Sequence, residues 1–560
     1  MPVPDRQAAA GPRCRCTKPA PPATCCCGNR EDAMPYTVPD LLIEAANRHG
    51  TAPAVIDGGN VHTYQELTEQ AHQHAGSLAA RAAAGERVAL LLPRDATTLA
   101  LYFGAHLAGL VPVIVHDQLR PRQVAHIIGH AQAALTLTTA RLKPLLRDCA
   151  TDTPVLLPDQ LTGPPLQQPV RVIDRDLAAL AYTSGSTGAP KGVMLSHHNL
   201  VSGAVIVADY LDLTADDRTL ALLPWSFDYG LNQVLATFAV GGTAVIQRSA
   251  FPPDICRTLL AADVTGLAGV PTLWAALTGH GSPFLREHYP HLRYLTNSGG
   301  PLPPPAISAI RAAHPHVDIY AMYGLTEAFR STFLDPALIN DKPGSVGKAI
   351  PNSAVDVLDA HGRRCPPQTT GEIVHRGPTV ALGYWRDPEA SARVFRPHPR
   401  LAAPHHETVV YSGDLGYIDP DGDLYITGRH DDMVKIRGIR TNPNEIESEI
   451  MASGLAAAVA AVIVSPTDTA AGPDRGIDEG TDGDTVPEGE PLTLVAVQAR
   501  HPDLRLADLE AFCRSELPPH LRPHRITLIE TMPTTPHGKV DRQLVRRLLT
   551  GAVPEPELQP

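Results

Sequence analysis

The sequence predicts an α/β fold, with a large multi-lobed N-terminal domain of layered sheets followed by a small α+β C-terminal domain. Length is the first reason: 560 residues at 59.7 kDa exceed what one hydrophobic core organises. Rhythm is the second. From Met34 to about residue 420, helical stretches alternate with short β-branched strands, as in parallel sheets covered by helices. The third is the change beyond Asp432, where the elements become smaller and mixed. The expected boundaries are a disordered Cys/Pro-rich leader over 1–33, the large domain over 34–430, the small domain over 431–550 and a tail over 551–560.

Taken in order, the elements begin with an ordered pattern at Tyr36-Thr-Val-Pro-Asp-Leu-Leu, then a helix over 64–81 and a strand over 87–92. Residues 99–115 form a mostly apolar run that approaches membrane-spanning length. Gly104, His106, Gly109 and Pro112 interrupt it, so it reads as a helix to about Leu110 and then the strand Val111-Pro-Val-Ile-Val, with no membrane span. A strand over 177–182 leads to a helix start at Ser196-His-His-Asn, and 243–246 is a further strand. The small domain should hold helices over 443–453 and 506–517 and strands over 457–464 and 492–498. Between those strands, residues 466–491 carry eight acidic residues against one arginine. Such a segment buries too little apolar surface to offset its ordering entropy and reads as a flexible insertion, with a partner-docking acidic loop as the alternative. No internal repeat is visible.

Composition narrows the function. With 43% apolar and 19% charged residues the chain is neither disordered nor membrane-embedded. Its net charge of −12 lacks the basic footprint of nucleic-acid binding. Nine cysteines are too few for a disulfide scaffold. Cys149, Cys256, Cys365 and Cys513 are scattered singly, and Cys14, Cys16, Cys25, Cys26 and Cys27 sit in the leader, where zinc is the alternative to disorder. A reducing cytoplasm is expected, and no signal-peptide core precedes Met34. The His pairs at 197–198 and 405–406 lack further ligands at metal spacing and are expected on the surface.

The most informative segment is Tyr182-Thr-Ser-Gly-Ser-Thr-Gly-Ala-Pro-Lys191. Gly185 and Gly188 let backbone N–H groups approach an anion, while Thr183, Ser184, Ser186 and Thr187 add hydroxyl donors. The loop suits a polyphosphate. It is not a Walker A loop, because Pro190 precedes the lysine and Gly192 follows it.

This loop resembles the signature of the AMP-forming acyl- and aminoacyl-adenylating superfamily: acyl-CoA synthetases, peptide-synthetase adenylation domains and luciferases. The resemblance runs from Met34 to Arg547. Six further motifs follow in the family's order: Tyr323-Gly-Leu-Thr-Glu327, Gly371-Glu-Ile, Gly383-Tyr-Trp, Tyr411-Ser-Gly-Asp414, the stretch from Gly428 to Gly438, and Pro536-His-Gly-Lys539. It implies a free-standing enzyme that joins a carboxylate to the α-phosphate of ATP, releases pyrophosphate, and passes the acyl group to a thiol.

The resemblance also implies roles. Lys539 matches the catalytic lysine that bridges carboxylate and α-phosphate, Glu327 the Mg²⁺-binding glutamate, and Thr326 a phosphate contact. Tyr323, Gly324, Ser298, Gly299, Gly300 and Pro301 match the adenine site, with Ile426 a further packing position. Asp414 and Arg429 match the ribose and phosphate contacts, and Lys191 a β- or γ-phosphate partner or a loop-stabilising lysine. Asp431 matches the hinge about which the small domain turns between the two half-reactions.

For the acid, Phe227 matches the aromatic gate, and Asp228 falls where amino-acid adenylation domains hold a substrate ammonium. The alternative is an aspartate paired within the protein, with Arg330 or Tyr229 available. The small carboxylic or amino acid is therefore open. The thiol is expected from outside the chain, as coenzyme A or the phosphopantetheine of a discrete acyl carrier protein. An amide-forming ligase is a further alternative, while a non-catalytic nucleotide sensor would be expected to lose Lys539, Glu327 or Asp414.

Overall fold

The computed structural model describes residues 35–149, 153–183, 190–400, 407–430, 434–436, 439–441, 443–464, 491–518, 521–536 and 538–551. The expected leader and acidic insertion, the phosphate-loop residues Ser184, Gly185, Ser186, Thr187 and Gly188, the hinge Asp431 and the pair His405 and His406 lie outside the described residues.

Fourteen strands form one long sheet, and its two halves obey different rules. The parallel half orders Asp318–Leu325, Tyr294–Asn297, Gly266–Gly269, Arg218–Ala221, Thr243–Ile246 and Pro53–Asp57 side by side, with Asn60–Thr63 antiparallel at the edge. Its strands are short and buried, as sheets covered by helices require. After Leu325 the chain turns back on itself. Ala328–Phe333, Ser345–Ala349, Leu424–Arg429, Thr408–Ile418, Gly371–Arg376 and Ala354–Leu358 continue the sheet with antiparallel pairings. The parallel rhythm expected to residue 420 therefore stops near Leu325. Turns such as Asp419 to Asp423, where the Asp419 carboxylate accepts the N–H groups of Asp421 and Asp423, join neighbouring strands directly and need no crossover helix.

Two smaller sheets complete the body. One is parallel, Val111–Ile114, Arg87–Leu91, Ala133–Thr138 and Val155–Leu156; the other is antiparallel, Gly383–Tyr384, Lys191–Ser196 and Leu177–Thr183. The apolar run resolves as the helix Ala96–Leu107 and the strand Val111–Ile114. The helix starts earlier than the hydrophobicity suggests because Asp95 caps it, its carboxylate accepting the Thr98 N–H at 2.8 Å. No helix among the described residues is long and apolar enough to cross a membrane.

Nearer the C-terminus, Ala456–Val464, Leu492–Ala499 and Arg525–Ile529 form a three-stranded sheet with an apolar cluster on each face. The helices Pro443–Ala452, Leu506–Glu516 and Arg542–Leu549 supply most of the remaining apolar contacts.

One surface expectation fails. His197 is buried at the first position of the helix His197–Tyr210, and its Nδ1 accepts the Val38 N–H at 3.1 Å. Burial holds its pKa down at about 4, so the ring is neutral and serves as an acceptor for the N-terminal helix. His198 is exposed and lies 3.6 Å from Asp174.

Candidate active site

The strand Asp318–Leu325 ends where the parallel half of the sheet meets the antiparallel half, and that junction carries Tyr323, Gly324, Thr326 and Glu327. Tyr323 is the last buried residue of that strand. Its hydroxyl donates to Asp414 Oδ2 at 2.5 Å and lies 3.4 Å from His375 Nε2. Burial and the Asp414 charge push the phenol's pKa far up, so it remains a donor. Burial drives the His375 pKa down to about 3 and keeps that ring neutral.

Asp414 takes a second contact from Arg429 Nη1 at 2.8 Å, across a register in which the two residues face one another on neighbouring strands. Asp414 is largely buried, whereas the Arg429 side chain is half-exposed. The pair presents one carboxylate and one guanidinium at the edge of the same strand pair, with Ile426 partly exposed on the strand of Arg429.

Glu327 sits in the turn after Tyr323. Its Oε1 accepts the Tyr384 hydroxyl at 2.7 Å, and its other carboxylate oxygen has no protein partner among the described residues. Lys191 Nζ lies 5.2 Å from the centroid of the Tyr384 ring, so phosphate-loop lysine and glutamate meet on one tyrosine. Thr183 pairs with Lys191 in register, which holds both ends of the loop together. Thr326 is buried beside Glu327.

The neighbouring strand Tyr294–Asn297 runs into Ser298, Gly299 and Gly300. Asn297 Nδ2 donates to the Gly300 carbonyl at 2.9 Å. Gly299 has φ +84°, and a Cβ there would stand 3.1 Å from Lys539 Cε. Lys539 therefore lies directly over the glycine strip.

Local contacts hold that lysine. Gly538, at φ +76°, gives its carbonyl to the Thr272 hydroxyl at 2.5 Å, and His116 hydrogen-bonds the Pro536 backbone. The Thr535 N–H closes the loop onto the Lys539 carbonyl at 2.6 Å. Lys539 Nζ lies 5.2 Å from the Phe227 ring centroid and has no hydrogen bond or carboxylate partner among the described residues.

Phe227 precedes the helix Asp228–Ala239 and packs edge-on against Tyr229, with ring centroids 6.1 Å apart. The turn that delivers Glu327 also delivers Arg330, whose guanidinium lies 4.1 Å from the Tyr229 ring centroid. A cavity behind these rings is lined by Tyr229, Asn232, Gln233, Thr296 and Arg330. Asp228 does not line it. Its carboxylate accepts the Tyr229 N–H at 2.7 Å and borders a second cavity with Tyr102, Trp225 and Ser226. Neither Arg330 nor the Tyr229 hydroxyl pairs with Asp228; the hydroxyl is hydrogen-bonded to Thr296 at 2.6 Å.

Contacts thus run from Arg429 through Asp414 to Tyr323, from Glu327 through Tyr384 to Lys191, and from Arg330 through Tyr229 and Phe227 to Lys539 and Gly299. Sequence reasoning missed Tyr384 as the partner of Glu327, His375 beside Tyr323, and Thr272 and His116 as anchors of the lysine loop. Gly383-Tyr-Trp was the one signal available for Tyr384.

A family model described as AMP-binding enzyme matches residues 42–385. Feruloyl-CoA synthase from Amycolatopsis sp is 32% identical over 507 residues, covering 89% of this chain and 96% of that protein. A linear gramicidin synthase from Brevibacillus parabrevis is 31% identical over 486 residues, 86% of this chain, but this chain spans only 6% of it. Among solved structures, an anthranilate CoA ligase in complex with anthranoyl-AMP matches with TM-score 0.81 at 22% identity, over 93% of this chain and 98% of that one. ATP-bound MatB from Rhodopseudomonas palustris matches with TM-score 0.78 at 26% identity, over 91% and 98%. The two solved structures share the fold, and the family model together with the full-length relative establishes more: the chain belongs to the AMP-binding enzymes and is an AMP-forming ligase.

Proposed function

We propose that the protein activates a carboxylic acid with ATP as acyl-AMP, releasing pyrophosphate, and transfers the acyl group to the thiol of coenzyme A. The observation that carries this reading is the position of Lys539, an ammonium without a protein partner among the described residues, between the Gly299 strip and the Phe227 gate. A carboxylate attacking an α-phosphate brings two anions together. A cation held at their meeting point lowers that barrier by positioning and by charge compensation.

The other residues divide the nucleotide between them. Asp414, oriented by Tyr323 and Arg429, accepts hydrogen bonds from the ribose hydroxyls, and the half-exposed Arg429 guanidinium extends toward phosphate. Lys191 and Thr326 meet the phosphates. Glu327 fits a Mg²⁺ site, because one carboxylate oxygen remains open and a hard cation completes its shell with water and phosphate oxygens. When bound, the ion would neutralise charge on the leaving pyrophosphate. Tyr323 and the strip Gly299, Gly300 and Pro301 bound the base. Asp431 is proposed as the hinge that exchanges the Lys539 face of the small domain for its opposite face in the thiol step.

Support for coenzyme A over a carrier protein comes from the full-length relative, whose name is that of a CoA synthase. Support for a simple acid over an α-amino acid comes from Asp228, which turns to its own helix N-terminus and borders the other cavity. The test is pyrophosphate exchange across a panel of acids and amino acids, followed by mass detection of the thiol product. Exchange with no acid at all would overturn the reading, and a product on carrier protein but not on coenzyme A would replace its second half.

A further inference from the structure

One helix grips the chain on both sides of the phosphate loop. It spans Pro121–Ala131, and its apolar face, Val124, Ile127, Ile128 and Ala131, is buried in a cluster that includes Leu180 and Tyr182. His126 and His130 stand one turn apart on this helix, where helical neighbours meet. Their rings stack with centroids 5.5 Å apart and planes 16° from parallel. Both are half-buried and lie outside the apolar face, so the packing of the helix does not require them.

Their hydrogen bonds reach the two strands that flank the loop. His126 Nε2 lies 3.0 Å from the Pro190 carbonyl, in the peptide unit that leads into Lys191. A carbonyl only accepts, so Nε2 carries a proton. His130 Nδ1 lies 2.9 Å from the hydroxyl of Tyr182, the residue before Thr183. Burial holds the Tyr182 pKa up. Burial, His126 and Arg386 together hold the His130 pKa down against the opposing pull of Asp387, so phenol and ring are both neutral near pH 7.

These ties close a circuit. Tyr182 faces Gly192 in the register that also pairs Thr183 with Lys191. A Cβ on Gly192 would stand 3.1 Å from Tyr182 Cζ, so glycine makes room for the ring. The Gly192 carbonyl accepts the Trp385 N–H at 2.7 Å, and Trp385 Nε1 donates back to the His130 carbonyl at 3.1 Å. Arg87 fixes the same end of the helix. It donates from Nε to the Ala131 carbonyl and from Nη2 to that of Gln132, each at 2.8 Å, with its guanidinium 5.1 Å from the Trp385 ring centroid.

We propose that His126 and His130 are positioning residues for ATP, which clamp the two strand ends flanking the phosphate loop and so fix where Lys191 stands toward the polyphosphate. The inference rests on the adenylation reading in taking Lys191 as a phosphate contact. Each histidine acts through the backbone or side chain it holds, and a cation held in place beforehand spares its ordering cost when the ligand binds.

The test titrates the full chain with ATP and with AMP, both in the presence of Mg²⁺, for the native protein and its His126→Leu, His126→Gln and Tyr182→Phe variants. AMP lacks the β- and γ-phosphates, so only the ATP affinity should respond. His126→Leu is expected to weaken ATP binding by about fivefold, the worth of one such hydrogen bond, and to leave AMP binding unchanged. His126→Gln offers an amide N–H to the same carbonyl and should recover most of that loss. Tyr182→Phe cuts the second tie from the strand side and should give a similar ATP-selective loss, independently of how the helix tolerates a change. Equal weakening of ATP and AMP would signal a general loss of structure and overturn the proposal, as would ATP affinity unchanged in His126→Leu and Tyr182→Phe. Pyrophosphate exchange with the panel of acids, run alongside, separates the two readings. ATP-selective losses in a protein that exchanges with no acid support the clamp and remove the adenylation reading, whereas a native protein that binds neither nucleotide overturns both.

Discussion

Tyr323 holds Asp414: the phenol donates to the carboxylate at 2.5 Å across the junction between the parallel and antiparallel halves of the long sheet. The tyrosine expected to face adenine thus also orients the aspartate expected to bind ribose, and removing its hydroxyl should disturb the second role alone. Tyr323→Phe removes the hydroxyl but keeps the ring. A buried hydrogen bond to a charged group is worth about 1.5–3 kcal/mol, so KM for ATP should rise by about tenfold or more with a smaller change in kcat. Steady-state kinetics at saturating acid would show this, and an unchanged KM would remove the orienting role.

Lys539 should separate the half-reactions. Lys539→Ala is expected to slow acyl-AMP formation by about 100-fold or more, the scale of losing one preorganised charge-stabilising group. Thioester formation from separately supplied acyl-AMP should be nearly unaffected, as judged by product mass. Thr272→Val releases the Gly538 carbonyl and should produce a weaker version of the same asymmetry, a several-fold loss confined to the first step.

Glu327 and Tyr384 can be tested through the metal. Glu327→Gln should raise the Mg²⁺ concentration needed for half-maximal pyrophosphate exchange by roughly tenfold. Tyr384→Phe keeps the carboxylate but loses its 2.7 Å donor, and should shift the same curve by less. Identical Mg²⁺ dependence in both variants and the native enzyme would place the metal elsewhere.

Stability should fall on mild acidification. Burial lowers the pKa of His197 to about 4 and of His375 to about 3, whereas in the unfolded chain each titrates near 6.5. Below pH 6.5 the unfolded state therefore binds protons that the folded state refuses. The stability these neutral rings contribute is complete above that pH and is lost progressively as pH falls toward 4. Each histidine should cost on the order of 1–2 kcal/mol by pH 5. Thermal unfolding followed from pH 7.5 to pH 5 should show a falling midpoint, with a shallower slope in His197→Asn.

Much of the architecture was legible one segment at a time. The strand Thr243–Ile246 falls where its β-branched run lies, and the helix Tyr64–Ala79 begins at the Thr63 and Glu66 capping pair. The motifs around Lys191, Glu327, Asp414 and Lys539 could be read because each is a short stretch whose residue types already state a chemistry. Such signals depend on neighbours within a turn or a strand, and sequence records neighbours directly.

Distant partners needed the assembled chain. Nothing near Ala328 in the sequence announces that the sheet turns antiparallel, because strand pairing joins residues far apart. His197 looks like a surface polar residue until the helix Val38–His49 supplies an N–H for its ring. Arg330 looks like an ordinary strand arginine until Tyr229 closes over it and no carboxylate among the described residues pairs with it. Local pattern determined which elements form and which chemistry they carry. Only tertiary packing decided which polar groups lose water and which partners they meet, since desolvation is a property of all the surfaces that meet at a point.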